Sequence, residues 1–187
     1  MGVTLVQTDR SAVLRRTVAV VLGAIVVAAA AQVSVPLPGT PVPMTLQPMA
    51  VLLVGGLLGA RLGAFSMILY VAMGAAGLPV FTPTVPLIGV ARLIGPTGGY
   101  LLAYPIAAWA VGAIMADSRN VRRVACGVLI GLVLIHLGGL AQLAILTGSI
   151  SAAARFGTVP FLLGDLLKIA VLVPVLAKLT PAIRARL

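Results

Sequence analysis

Apolar residues fall in six long blocks, at residues 17–33, 46–59, 62–76, 98–116, 124–147 and 159–180, separated by short polar, proline-rich or glycine-rich stretches. Blocks of this length with almost no charge predict membrane-spanning helices. The second is short for a bilayer core of about 30 Å, so it stands nearly upright, starts earlier, or packs beside the preceding loop. That loop, SVPLPGTPVP (34–43), has four prolines in ten residues, which excludes helix and favours a stiff extended segment. The pattern predicts an all-α membrane protein of six transmembrane helices in a single domain, residues 1–187.

Composition agrees. The chain is 61% hydrophobic and 9% charged, whereas a soluble domain is about a quarter charged. The net charge of +10 would suggest nucleic acid in a soluble protein, but the cations cluster between apolar blocks, with no basic stripe interleaved with aromatics. With six spans and an inner N-terminus, the inner segments hold Arg10, Arg15, Arg16, Arg61, Arg119, Arg122, Arg123, Lys178, Arg184 and Arg186. The outer loops hold only Arg92 and Arg155, and Lys168 lies within a span. This asymmetry predicts an N-in, C-in orientation. The first block, preceded by Arg10, Arg15 and Arg16, also has the form of a cleavable leader, with Ala29 and Ala31 near its end. Further spans follow it, so a retained first helix can start insertion.

Several functions lack their residues. No phosphate-binding G-x-x-x-x-G-K-[ST] occurs, so the chain is not its own P-loop ATPase. No H-E-x-x-H, G-x-S-x-G or paired carboxylate appears, and Asp9 and Asp117 fall outside the spans, which argues against an enzyme. One cysteine and one histidine make no metal cluster, and Cys126 reads as a buried thiol in apolar surroundings.

Two constellations remain. In FLLGDLLKIA (161–170), Asp165 and Lys168 sit three residues apart on one helix face. A carboxylate at the centre of a spanning helix costs about 2.5–3.5 kcal/mol, so it faces a partner or a cavity. Thr158 or Val159 would cap this helix, with Pro160 in its first turn. Asp165 then lies about 8 Å along the axis and Lys168 near the midplane. The two could simply pair, or they could line a polar pocket that opens outward. In GVARLIGPTGGYLLAY (89–104), Pro96, Gly98 and Gly99 interrupt the chain before the fourth span, Thr97 can cap the new helix, and Arg92 lies on the same outer side.

Together these groups describe a site for a small ligand with a carboxylate end, an N–H-rich end and an apolar middle. Phe81, Tyr100, Tyr104, Trp109 and Phe161 are candidate walls. His136 and Gln142 in the fifth span are six apart and do not share a face, so each is expected to make an interhelical hydrogen bond. Ala24 and Ala28, with Ala19 and Gly23 nearby, form a small-residue face suited to close docking of a membrane partner.

Four motifs in order, PLPGTPVPMTLQPMAVLLVGGLLGARLG, YVAMGAAGLPVF, GPTGGYLLAYP and VPFLLGDLLKIA, resemble the BioY family of biotin transporters, the substrate-binding S components of energy-coupling-factor transporters. The resemblance runs from about residue 32 to residue 180. It implies a six-helix protein of the cytoplasmic membrane that captures biotin from outside with high affinity. It also implies a transmembrane T component, ABC-type ATPase subunits and membrane lipids as partners, with self-association allowed. No cofactor is implied, since biotin is the transported substrate.

By the same resemblance, Asp165 and Lys168 line the biotin site, Arg92 is a further contact, and Ala24 and Ala28 dock the T component; Tyr100 and Phe81 join the site as the candidate walls named above. After LPVF the family has a glycine-rich or asparagine-containing stretch. Here TPTVPLIG stands instead, and Thr82 or Thr84 would replace the polar contact. Which of Arg92 and Lys168 meets the carboxylate the residues leave open. An S component for a different vitamin, a small channel, or a structural subunit with an Asp165–Lys168 ion pair are the rival readings.

Overall fold

A computed structural model describes residues 10–116, 118 and 120–187. Asp9, Asp117 and Arg119 lie outside the described residues. The elements in order are α1 (Arg10–Gln32), β1 (Ser34–Val35), β2 (Met44–Thr45), α2 (Gln47–Leu58), α3 (Ala60–Ala75), α4 (Val90–Ile94), α5 (Gly98–Met115), α6 (Val121–Thr147), α7 (Ile150–Gly157) and α8 (Leu162–Arg184), with a 3-10 turn over Val159–Phe161. The described residues are therefore mostly helical.

Each apolar block corresponds to a helix, to within a few residues at its ends except at the start of α1, which is helical seven residues ahead of its block. Among the described residues, α1, α5, α6 and the continuous stretch Ile150–Arg184 are long and apolar enough to cross a membrane. The apolar helices α2 and α3, of 12 and 16 residues, are shorter, about 18 and 24 Å at 1.5 Å per residue. They meet at Gly59, whose φ of 85° is available to glycine at little cost. The proline loop is a narrow hairpin in which Ser34 pairs with Thr45 and Val35 with Met44, antiparallel.

α5 is the central helix, packed against α2, α3 and α6. Glycines bring α5 and α6 together: a Cβ on Gly99 would collide with the Gly138 carbonyl oxygen. The core contains Val51, Leu52, Met67, Tyr70, Tyr104, Val111 and Leu176. Exposed positions are apolar too, including Leu22 and Ile25 on α1, Ile106 on α5 and Leu163 and Leu166 on α8, as a lipid-facing surface requires.

Polar groups at the two ends differ. At one end, Arg16 Nε donates to the Leu187 backbone carbonyl at 3.0 Å, so the start of α1 and the end of the chain meet. Arg184 donates to the carbonyls of Gly56, Gly112 and Ala116, tying α8 to the C-terminal ends of α2 and α5. The first turn of α8 lies a full helix length away, with the hairpin and α4 around it.

Several local expectations need correction. The side chains of Thr97 and Thr158 cap no helix, and α8 begins at Leu162 after the 3-10 turn. Asp165 is consequently in the first turn of α8. Cys126 and Trp109 are exposed on the outer surface; an apolar neighbourhood in a membrane protein fits the lipid face as well as the core. Ala24 is fully buried within the chain, on a stripe with Ala19, Gly23, Val27 and Ala31 that packs on α2 and α3. A Cβ on Gly23 would lie 2.5 Å from Ser66 Oγ and 2.9 Å from Val54 Cγ1. Ala24 thus offers no free docking surface, and Ala28 is half-buried beside the core.

Candidate ligand pocket

Seven segments converge on one pocket. The hairpin contributes Val42, Pro43 and Thr45, and α2 contributes Gln47 and Pro48 at its start. Thr82 comes from the α3–α4 loop and Arg92 from α4. Thr97 and the α5 residues Tyr100 and Tyr104 form a third wall. Ile135 and His136 on α6 face Phe161, Asp165 and Lys168 at the start of α8. The empty space between them, counting the open solvent at its mouth, is about 540 Å³.

The acidic corner is built from two helices. Asp165 is 4% exposed. Lys168 Nζ donates to its Oδ1 at 3.0 Å, as the i,i+3 spacing allows. His136 Nε2 lies 2.7 Å from its Oδ2, across from α6. The start of α8 adds a third favourable influence, since a helix N-terminus carries partial positive charge. A carboxylate has about four lone-pair sites, and these two bonds leave half of them for a ligand.

The basic corner is built by the α3–α4 segment. Arg92 is 1% exposed, the largest of the fully buried side chains. Its guanidinium donates to the carbonyls of Val85 at 2.5 Å and Thr82 at 2.9 Å, while Nε has no protein partner. Burial is the main influence on Arg92 and lowers its pKa, but arginine starts so high that it stays charged. No carboxylate pairs with it among the described residues. Leaving His136 aside, the pocket holds two cations, Arg92 and Lys168, against one anion, Asp165.

Aromatic side chains complete the walls. Tyr100 Oη donates to the Gly157 carbonyl at 2.6 Å, fixing the end of α7 over the pocket. Gln47 Nε2 donates to Tyr70 Oη at 2.5 Å, and Tyr70 donates to the Val80 carbonyl at 3.1 Å. Tyr70 stacks on Tyr104, with ring centroids 6.4 Å apart.

The residues singled out from the sequence separate into two groups. Asp165, Lys168, Arg92, Tyr100, Tyr104, Phe161 and Thr82 line the pocket. Phe81 lies behind it, edge-on to Tyr70 at 5.5 Å and against Gly74. Thr84 is exposed and reaches the pocket only through Thr82, its hydroxyl 3.1 Å away. Gln142 makes its interhelical bonds to the Leu93 and Gly95 carbonyls, bracing α4. His136 makes the interhelical bond expected of it, to Asp165. That this bond puts His136 in the pocket wall, and that Gln47 joins it there, the sequence pattern does not reveal. The one hint for Gln47 is its position, a polar residue at the start of an apolar helix just after the proline hairpin.

Comparison with known proteins gives a consistent result. The BioY family model matches residues 5–185. A probable biotin transporter BioY of Pyrococcus horikoshii is 38% identical over 149 residues, covering 80% of this chain and 86% of that protein. The biotin transporter BioY of Thermotoga maritima is 36% identical over 141 residues, covering 75% and 81%. Among solved structures, the S-component for biotin from an ECF-type ABC transporter superposes with a TM-score of 0.83 at 23% identity, covering 92% of this chain and 94% of that one. The fold is therefore that of an S component, and the chain belongs to the BioY family.

Proposed function

We propose that this chain is the high-affinity biotin-binding S component of an uptake system in the cytoplasmic membrane. The observation that carries the assignment is the charge pattern of the pocket. Arg92 is a buried cation with no acidic partner among the described residues, and a desolvated unpaired charge is costly unless a counter-charge arrives. Biotin brings one carboxylate at the end of an aliphatic chain, and a ureido ring with two N–H donors and one carbonyl. The carboxylate suits Arg92. The ureido N–H groups suit the lone pairs that Asp165 retains, and Lys168 can donate to the ureido oxygen. The ring and chain suit Tyr100, Tyr104 and Phe161. Thr82, held at the Arg92 guanidinium, replaces the polar contact of the family's usual loop, and Phe81 supports that wall from behind.

The fold supports a six-span, N-in and C-in arrangement, in which α2 and α3 each cross despite their length. Arg16, Arg184 and the chain end gather at one end of the bundle, the end predicted to be cytoplasmic. The pocket lies at the other end, under the hairpin and α4. Reorientation and energy input then come from a transmembrane T component and ABC-type ATPases. Because Ala24 is internal, docking would use the apolar outer face of α1 or the edge near Ala28.

The uptake test uses a bacterial strain that needs external biotin and lacks its own importer. Expression of the chain with T and ATPase subunits should restore growth at nanomolar biotin. A well-expressed, membrane-inserted chain that never restores growth contradicts the transport role.

A further inference from the structure

We propose that His136 is a positioning residue of the binding site, orienting Asp165 for the ligand's N–H groups. The proposal rests on the biotin reading above and adds a residue to it. Asp165 needs two kinds of support. Its charge must be compensated, and Lys168 does this from one turn further along α8. A partner on the same helix, however, cannot fix the carboxylate relative to the opposite walls, because both groups move with α8.

His136 supplies what Lys168 cannot. It reaches Asp165 Oδ2 from α6 at 2.7 Å. α6 is in turn seated on α5 by the Gly99–Gly138 approach, and α5 carries Tyr100 and Tyr104. The imidazole therefore ties the carboxylate to the part of the bundle that forms the aromatic wall. Its own setting is defined by Tyr100, edge-on at 6.3 Å, and Phe161 at 6.5 Å.

The ring has no competing commitment. Nδ1 is buried and has no protein partner, so among the described residues the bond to Asp165 is its one polar contact. With Lys168 already balancing the charge, a neutral imidazole donating through Nε2 satisfies the geometry. Asp165 then presents a fixed pair of acceptor sites with both oxygens already held. Positioning of this kind acts on affinity, because a pre-set acceptor loses less freedom when the ligand binds.

His136 and Asp165 also line a second, apolar groove between α6 and α8, in which Val133, Leu137 and Leu140 face Leu162 and Leu166. The pair is thus a partition one side chain thick between the pocket and the lipid-facing surface. Loss of the bond would loosen the wall at its thinnest point.

The test is equilibrium biotin binding to purified protein, with thermal unfolding to confirm folding. Wild type, His136→Leu, His136→Gln and His136→Asn are compared, each also with Asp165→Asn. A glutamine amide can place its donor near the Nε2 position, whereas the shorter asparagine amide falls short. Leucine and asparagine should weaken binding by about tenfold or more, and glutamine should recover to within about threefold of wild type. In the Asp165→Asn background the three His136 variants should differ by less than about twofold, because the effect is transmitted through the carboxylate. Should the leucine variant fail to fold, the glutamine–asparagine comparison decides alone, since both are polar and similar in size. Unchanged affinity in His136→Asn, or an equal loss in glutamine and asparagine variants, overturns the positioning role while the biotin reading stands. Wild type that folds but binds no biotin overturns both.

Discussion

Gly99 on α5 and Gly138 on α6 touch backbone to backbone: a Cβ on Gly99 would collide with the Gly138 carbonyl oxygen and sit 2.8 Å from Gln142 Cβ. The obstacle is backbone, which cannot swing away as a side chain would. Gly99→Ala must therefore push the helices apart, at a cost of about 1–3 kcal/mol typical of overpacking. Thermal unfolding in detergent should show a clear drop in midpoint. Biotin affinity should fall as well, because the separation shifts Tyr100 away from His136.

Tyr100→Phe removes the hydroxyl that donates to the Gly157 carbonyl at 2.6 Å. An acceptor left without its donor costs about 1–3 kcal/mol. The loss should appear as faster amide hydrogen exchange across residues 150–161, with little change in α2 and α3. Uniformly unchanged exchange would mean that α7 is held by other contacts.

Arg92 makes two demands on its side chain. The guanidinium fork spans the Val85 and Thr82 carbonyls, and the charge awaits an anion. Arg92→Lys keeps the charge without the fork, so hydrogen exchange over residues 82–89 should quicken and biotin affinity fall by about three- to tenfold. Arg92→Met removes both and should weaken biotin by more than tenfold. Biotin methyl ester, which lacks the negative charge, separates the two effects. Wild type should prefer biotin over the ester, and Arg92→Met should bind the two alike.

Topology can be read by labelling single cysteines with a membrane-impermeant maleimide in intact cells. Cys126 is exposed and must first be replaced by alanine. A cysteine at Thr40 in the hairpin should label from outside, and one at Ser118 only after permeabilisation. The reverse pattern would invert the assigned orientation.

The legible parts of this protein are those that depend on short stretches of chain. The predicted spans 98–116 and 124–147 correspond to Gly98–Met115 and Val121–Thr147, because long apolar runs have few other uses. α1 is already helical at Arg10, the first described residue, seven residues before its apolar block, since arginine is a good helix former and its charge need not end a helix. α7 is hidden in ISAAARFG, too short to declare a period, although Ser149 does cap it by accepting from the Ala152 amide. The His136–Asp165 contact joins residues 29 positions apart, and no local pattern encodes such a pairing. The inward or outward direction of Cys126 and Trp109 is equally hidden, because lipid and core select the same residue types.

The central claim is that Asp165 forms part of a biotin site, and equilibrium binding to purified wild type and Asp165→Asn in detergent tests it most directly. The asparagine is close in size but lacks the charge and one acceptor oxygen, and it leaves Lys168 without its ion pair. Wild type is expected to bind one biotin per chain at micromolar concentration or below, and Asp165→Asn to bind at least about tenfold more weakly while remaining folded. Folded wild type with no binding at micromolar biotin, or Asp165→Asn equal to wild type, would contradict the account.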